Sequence, residues 1–163
     1  MKGRICDLER LSEIWRNLNS EDLKRILEIG CAVDRIDVII YFEEITICDT
    51  QDQYDIFCSL IKDPNLVKIS CDSGSLSILK YLVSQGADVK RRVSSGVSPI
   101  LVASLKGYLP IVEYLVSQGA DVNQADNEGR TPIWIASQQG HLSIVGYLVS
   151  QGADVKPMKS SIR

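Results

Sequence analysis

Aromatic side chains are scarce in this chain, at 6% of 163 residues, and there is a single histidine, His141. A cysteine nucleophile would need a base, yet no cysteine lies beyond Cys71 and His141 stands at the opposite end of the sequence. The five cysteines (Cys6, Cys31, Cys48, Cys58, Cys71) are odd in number and form no C-x-x-C pair. A secreted disulfide framework and a zinc site are both disfavoured, and buried, reduced thiols in an intracellular, cytoplasmic protein are expected. No apolar run approaches the ~18 residues needed to cross a bilayer, and "MKGRICDLERLSEIW" has no apolar core of a secretory leader. Basic excess is lacking too: the net charge is −3, and "RR" at 91–92 is the densest basic spot. Neither nucleic acid nor membrane is therefore an expected partner. Phosphate loops of the G-x-x-x-x-G-K-[ST] or G-x-G-x-x-G kind and the H-E-x-x-H metal motif are missing, so no cofactor, metal or catalytic residue is assigned. The acidic clusters "FEE" at 42–44 and "CDTQDQYD" at 48–55 read more simply as a solvated helix face and a helix start.

What the chain does have is repetition. "YLVSQGADV" occurs at 81–89, 114–122 and 147–155, placing Gly86, Gly119 and Gly152 at a constant spacing of 33. A fixed period of tens of residues marks an architecture in which one supersecondary unit is stacked along an axis. With 45% hydrophobic and 24% charged residues, the chain can bury a core. Within a unit, Ser98-Pro99 and Thr131-Pro132 follow Gly96 and Gly129 by two residues. A hydroxyl that accepts from an early backbone N–H, with proline at the first helical position, starts a short helix that ends at Gly107 or Gly140. The second helix of the middle copy has Ile111, Val112, Leu115 and Val116 on one face, Pro110 in its first turn, and Gly119 as a left-handed stop. Each unit is thus a turn, a short helix and a longer helix.

"GRTPIWIASQQGHLSIVGYLVSQGADV" (129–155) and "GVSPILVASLKGYLPIVEYLVSQGADV" (96–122) resemble the ankyrin repeat nearly throughout. "DPNLVKISCDSGSLSILKYLVSQGADV" (63–89) keeps the helices but lacks the Gly and the Thr-Pro. The resemblance implies an all-α helical solenoid with units at 63–92 (degenerate), 93–125 and 126–156, then a short tail. The family's histidine after Thr-Pro-Leu is replaced by Trp134, Leu101 and Lys68, whereas His141 occupies the family's other histidine position, at the start of an outer helix.

Residues 1–62 do not repeat at 33 but read as helical. Asp7 precedes an amphipathic segment through Leu18, Ser20 can cap "EDLKRILEI" up to Gly30, and Thr50 with Gln53 makes a capping box. The stretch 36–47, "IDVIIYFEEITI", suits a strand or a helix equally. We read 1–62 as a divergent cap on the array, with Leu11, Trp15, Leu23 and Ile26 facing it. The rival is a separate functional domain, such as a thiol-dependent enzyme, with the repeats as its targeting scaffold.

The resemblance implies a non-catalytic module that binds a protein partner, of identity not written in the sequence, through turn tips and the inner-helix face. The copies differ in those same segments. Carried over by position, the candidates are Arg92, Ser94, Ser95, Val97, Leu105 and Lys106 in one copy. The next copy supplies Ala125, Asn127, Glu128, Arg130, Gln138 and Gln139. Trp134 joins them as a tryptophan anchor or as packing, and Asp72 and Ser73 carry over from the degenerate copy. The tyrosine column Tyr81, Tyr114, Tyr147 reads as packing with hydroxyls in water. Beyond "SQGADV" at the C-terminal end stands "KPMKSSIR", not a polar capping pair, so the last repeat is left uncovered. Fraying there, or an array that continues in a longer chain, is preferred to dimerisation; weak self-association through that repeat is the remaining expectation.

Overall fold

A computed structural model describes residues 19–37, 39–40, 51–93 and 96–155. Eight helices and no strand are found among them: α1 (Ser20–Ala32), α2 (Gln51–Ile61), α3 (Pro64–Ser73), α4 (Leu76–Ser84), α5 (Pro99–Lys106), α6 (Leu109–Ser117), α7 (Pro132–Gln138) and α8 (Leu142–Ser150). The all-α repeat fold expected from the sequence is the one observed.

Local chemistry sets each boundary. At α1 the cap is Asn19 rather than Ser20: its Oδ1 accepts from the N–H groups of Glu21 (3.0 Å) and Asp22 (2.9 Å), leaving Ser20 as the first helical residue. Glu21 and Asp22 then lie at the positive end of the helix dipole. This helix also runs through Gly30, because the chain there needs no left-handed turn, and stops only at Val33. In the degenerate copy Asp63-Pro64 performs the missing start: Asp63 Oδ1 accepts from Asn65 N–H at 2.8 Å, with proline at the first helical position. Thr131 caps α7 through the N–H of Trp134 (3.4 Å). Ser98 does not cap α5: its hydroxyl is fully buried and finds no hydrogen-bond partner. Gly107 (φ 82°) closes α5 in the left-handed region, where a Cβ is penalised.

The helices stack in register. α1, α3, α5 and α7 form an inner row, each packed on the next, and α4, α6 and α8 pack against α3, α5 and α7 as an outer row. α2 packs on α1. One apolar cluster runs from Leu23, Leu27 and Cys31 of α1 through Val67, Ile100 and Ala136 of the inner row to Ile144 and Leu148 of α8. Fully burying each such leucine contributes about 2 kcal/mol. On α1, Leu27 rather than Ile26 joins Leu23 in this cluster, since Ile26 is only half-buried. Ile36, Asp37, Ile39 and Ile40 are helical, which decides the first half of the ambiguous stretch. Residues 41–47, the Asp7 segment with Leu11 and Trp15, and the Thr50–Gln53 box lie outside the described residues or side chains.

Candidate functional site: turn tips and the open inner-helix face

The tip between α6 and α7 is organised by Asp126, a buried carboxylate that had not stood out in the sequence. Its Oδ1 accepts from the N–H groups of Glu128 and Arg130, both at 2.9 Å, and its Oδ2 accepts from Arg130 Nε at 2.7 Å. Burial alone would raise this carboxyl, but the backbone and guanidinium donors of Arg130 and the N–H of Glu128 outweigh it and hold the group below the usual carboxylate value. Arg130 in turn reaches Glu128 Oε2 at 3.0 Å. The only sequence signal was that Asp126 opens the turn where the preceding copy has Val93.

Val93 offers no side-chain acceptor, and backbone bonds close the preceding tip: Val93 N–H to Val97 O (3.1 Å) and Gly96 N–H to Val93 O (2.8 Å). The two tips touch. A Cβ on Gly96 (φ 76°) would run into the side-chain amide of Asn127, so glycine there admits the neighbouring finger. The two tips are also tied at their bases, where Gln124 Nε2 donates to Lys90 O at 3.4 Å, and the segment that leaves α8 is tied to the second tip by Asp154 N–H, which donates to Asn123 Oδ1 at 2.7 Å.

Arg92, Asn127 and Glu128 are exposed at the tips, whereas Val97, Ala125 and Arg130 are half-buried. Ser94 and Ser95 lie outside the described residues. On the inner row Leu105, Lys106, Gln138 and Gln139 face solvent, and Leu105 is 44% exposed. Lys106 is brought onto Asp72 of the preceding unit, Nζ to Oδ1 at 3.1 Å. Ser73 is engaged internally, its hydroxyl donating to Cys31 O at 2.9 Å. Trp134 is half-buried, while Leu101 at the same position one unit earlier is fully packed. Tyr81, Tyr114 and Tyr147 are half-buried against the core, and burial raises the phenols of Tyr114 and Tyr147.

Among the described residues no group of histidine, cysteine and carboxylate side chains is placed to hold a metal ion, and no helix is long and apolar enough to cross a membrane. Cys31 and Cys71 are free and buried; burial pushes the Cys31 thiol up to about 12, with help from Glu28, and raises that of Cys71.

His141 locks successive units together. Its ring lies against Gly107, and Nε2 sits 3.2 Å from Leu105 O. A carbonyl can only accept, so this bond requires the proton on Nε2. The Tyr108 ring lies on Gly74 in the same way one unit earlier.

Paired helices, ringed glycine joints and protruding tips at a period of 33 define a stacked helix–turn–helix solenoid. A family model for ankyrin repeats, in three copies, matches residues 49–159. The chain belongs to the ankyrin-repeat family, whose repeats generally mediate protein–protein interaction. Comparison with curated proteins finds no match.

Proposed function

We propose that the protein is a non-catalytic interaction module that holds a partner protein across the tips at 92–97 and 125–130 and the open inner-helix face at 105–106 and 138–139. The observation that carries this reading is the combination of exposed polar tips with Leu105, an apolar side chain left open on the inner row that also exposes Lys106, Gln138 and Gln139. An interface needs such an apolar centre with a polar rim. The tips also touch through Asn127 and Gly96, which favours one rigid surface over independent loops.

The test compares proteins captured by the wild type and by an Arg92→Glu/Leu105→Glu variant, followed by hydrogen exchange with the recovered partner. Loss of that partner from the variant, with protection at 92–97, 105–106, 125–130 and 138–139, is expected. A partner retained by the variant, or protection confined to α4, α6 and α8, overturns the assignment.

We infer also that residues 1–62 act as a divergent cap belonging to the same stack. The continuous core between α1 and α3 supports this. So does the joint at Ser75, whose hydroxyl reaches Cys31 O at 3.4 Å, 44 residues back, much as His141 reaches Leu105 O, 36 residues back. A longer reach between equivalent joints is what an enlarged first unit would give. A thiol-dependent N-terminal domain draws no support from Cys31, which is buried and held protonated.

A further inference from the structure

The two tips occupy equivalent places in the repeat, yet their charges are opposite. The first, between α4 and α5, sets Asp88 against Lys90, Arg91 and Arg92, so residues 88–97 carry a net charge of +2. The second, between α6 and α7, sets Asp121, Asp126 and Glu128 against Arg130, so residues 121–130 carry −2. The second tip engages its one cation internally, because Arg130 bonds to both Asp126 and Glu128. In the first tip Asp88 Oδ1 accepts from the N–H of Lys90 at 2.8 Å. The Lys90 side chain folds toward the next unit: its Nζ lies 3.3 Å from where a Cβ on Gly119 would stand, just past α6. There the carboxyl end of the helix dipole favours a cation. Arg91 and Arg92 are left exposed, without a carboxylate partner among the described residues. Of the remaining described arginines, Arg35 is held by Asp37, and Arg25 has Glu21 and Glu28 a helical turn away on either side.

The layout of charge decides which anionic partner fits. A nucleic-acid backbone or an anionic bilayer presents negative charge over a long distance. Laid on the first tip, such a surface also meets the second, which touches it through Asn127 and Gly96 and has the opposite sign. A short carboxylate-bearing segment ends before that repulsion begins. Arginine suits it, since the planar guanidinium meets a carboxylate with two parallel hydrogen bonds.

We propose that Arg91 and Arg92 hold a short acidic segment of the partner protein, rich in Asp or Glu, with a neutral or basic continuation over the second tip. The inference rests on the interaction-module reading and adds the partner's charge to it. Like charge at the second tip disfavours the reversed or shifted placement, so the pair of tips sets register as well as attraction.

NMR titration of the isotope-labelled full chain with tetraglutamate tests the site. Amides of Arg91, Arg92 and Val93 should shift, and the binding should weaken as salt is added. Arg91→Glu/Arg92→Glu should lower the affinity about tenfold or more, with circular dichroism and melting temperature unchanged because both side chains are exposed. Arg25→Glu should leave it as it is. Extending the probe with four lysines should strengthen binding beyond that of octaglutamate. Shifts centred elsewhere, an affinity kept by the tip variant, octaglutamate as the tighter probe, or equal binding of duplex DNA or phosphatidylserine vesicles would each overturn the proposal. The recovered partner separates this inference from the reading beneath it, and both Leu105→Glu and the tip variant should release it. If Leu105→Glu releases it and Arg91→Glu/Arg92→Glu does not, the acidic segment is refuted and the interaction surface stands. If neither releases it, both are refuted.

Discussion

Gly107 and Gly140 form a matched pair for testing what the rings between units contribute. Both follow an inner helix in the left-handed region, at φ 82° and 77°. Alanine at either site pays the same backbone penalty, about 1 kcal/mol. At Gly140 nothing else changes, because the added Cβ has open space around it. At Gly107 the Cβ would fall 2.6 Å from His141 Cε1 and 2.9 Å from both ring nitrogens, so the ring must swing away. That movement breaks the bond from Nε2 to Leu105 O, about 1 kcal/mol, and strains the side-chain rotamer by about 1 kcal/mol more. Gly107→Ala should therefore cost about 3 kcal/mol against about 1 kcal/mol for Gly140→Ala, read as shifts in the urea unfolding midpoint. Adding His141→Ala removes the ring and should bring the Gly107→Ala cost down to that of Gly140→Ala, a coupling seen in the double-mutant cycle. Equal costs at the two glycines, or an unchanged cost without the ring, would show that Gly107 serves backbone conformation alone.

Two further outcomes are expected. Asp126 and Asp63 both have carboxyls held below the ordinary value of 3.8. For Asp63 burial opposes the shift, and the Asn65 N–H and then Lys24 outweigh it. A depressed folded pKa gives stability that is complete above the unfolded value and is lost as pH falls through the folded one, so the acid limb should steepen below about pH 4. Asp126→Asn should flatten that limb; an unchanged acid limb would mean the tip carboxylate does not couple to folding. Deleting residues 1–62 removes α1, which packs on α3, together with α2, and should leave a remainder that aggregates or binds hydrophobic dyes. A soluble 63–163 fragment with a sharp unfolding transition would refute the cap.

Short-range features were legible in the sequence because their causes are local. The spacing of the "YLVSQGADV" copies, the Thr-Pro start of α7 and the left-handed glycines of the repeats (Gly107, Gly119, Gly140) depend on residues within one or two turns, and all are present in the structure, whereas the stop expected at Gly30 is not. Where local rules failed, a neighbour or an equally suitable residue had taken over. Asn19 stood one place ahead of Ser20 with the same acceptor chemistry, and Asp63-Pro64 starts the degenerate copy in place of Thr-Pro. Ser98 has the same pattern as Thr131, yet its hydroxyl is packed away and makes no cap bond.

Contacts between units had no signal in the linear pattern. Ser73 on Cys31, Lys106 on Asp72 and Asn127 against Gly96 each join residues about 30 or more positions apart, and only stacking brings them together. The sequence alone determined that one unit is written three times and that each carries an apolar stripe. Whether that stripe is covered was decided by the tertiary structure: the valine that closes the repeated phrase is buried as Val89 and open as Val155. Identical residues share a backbone preference, but burial belongs to whatever packs beside them.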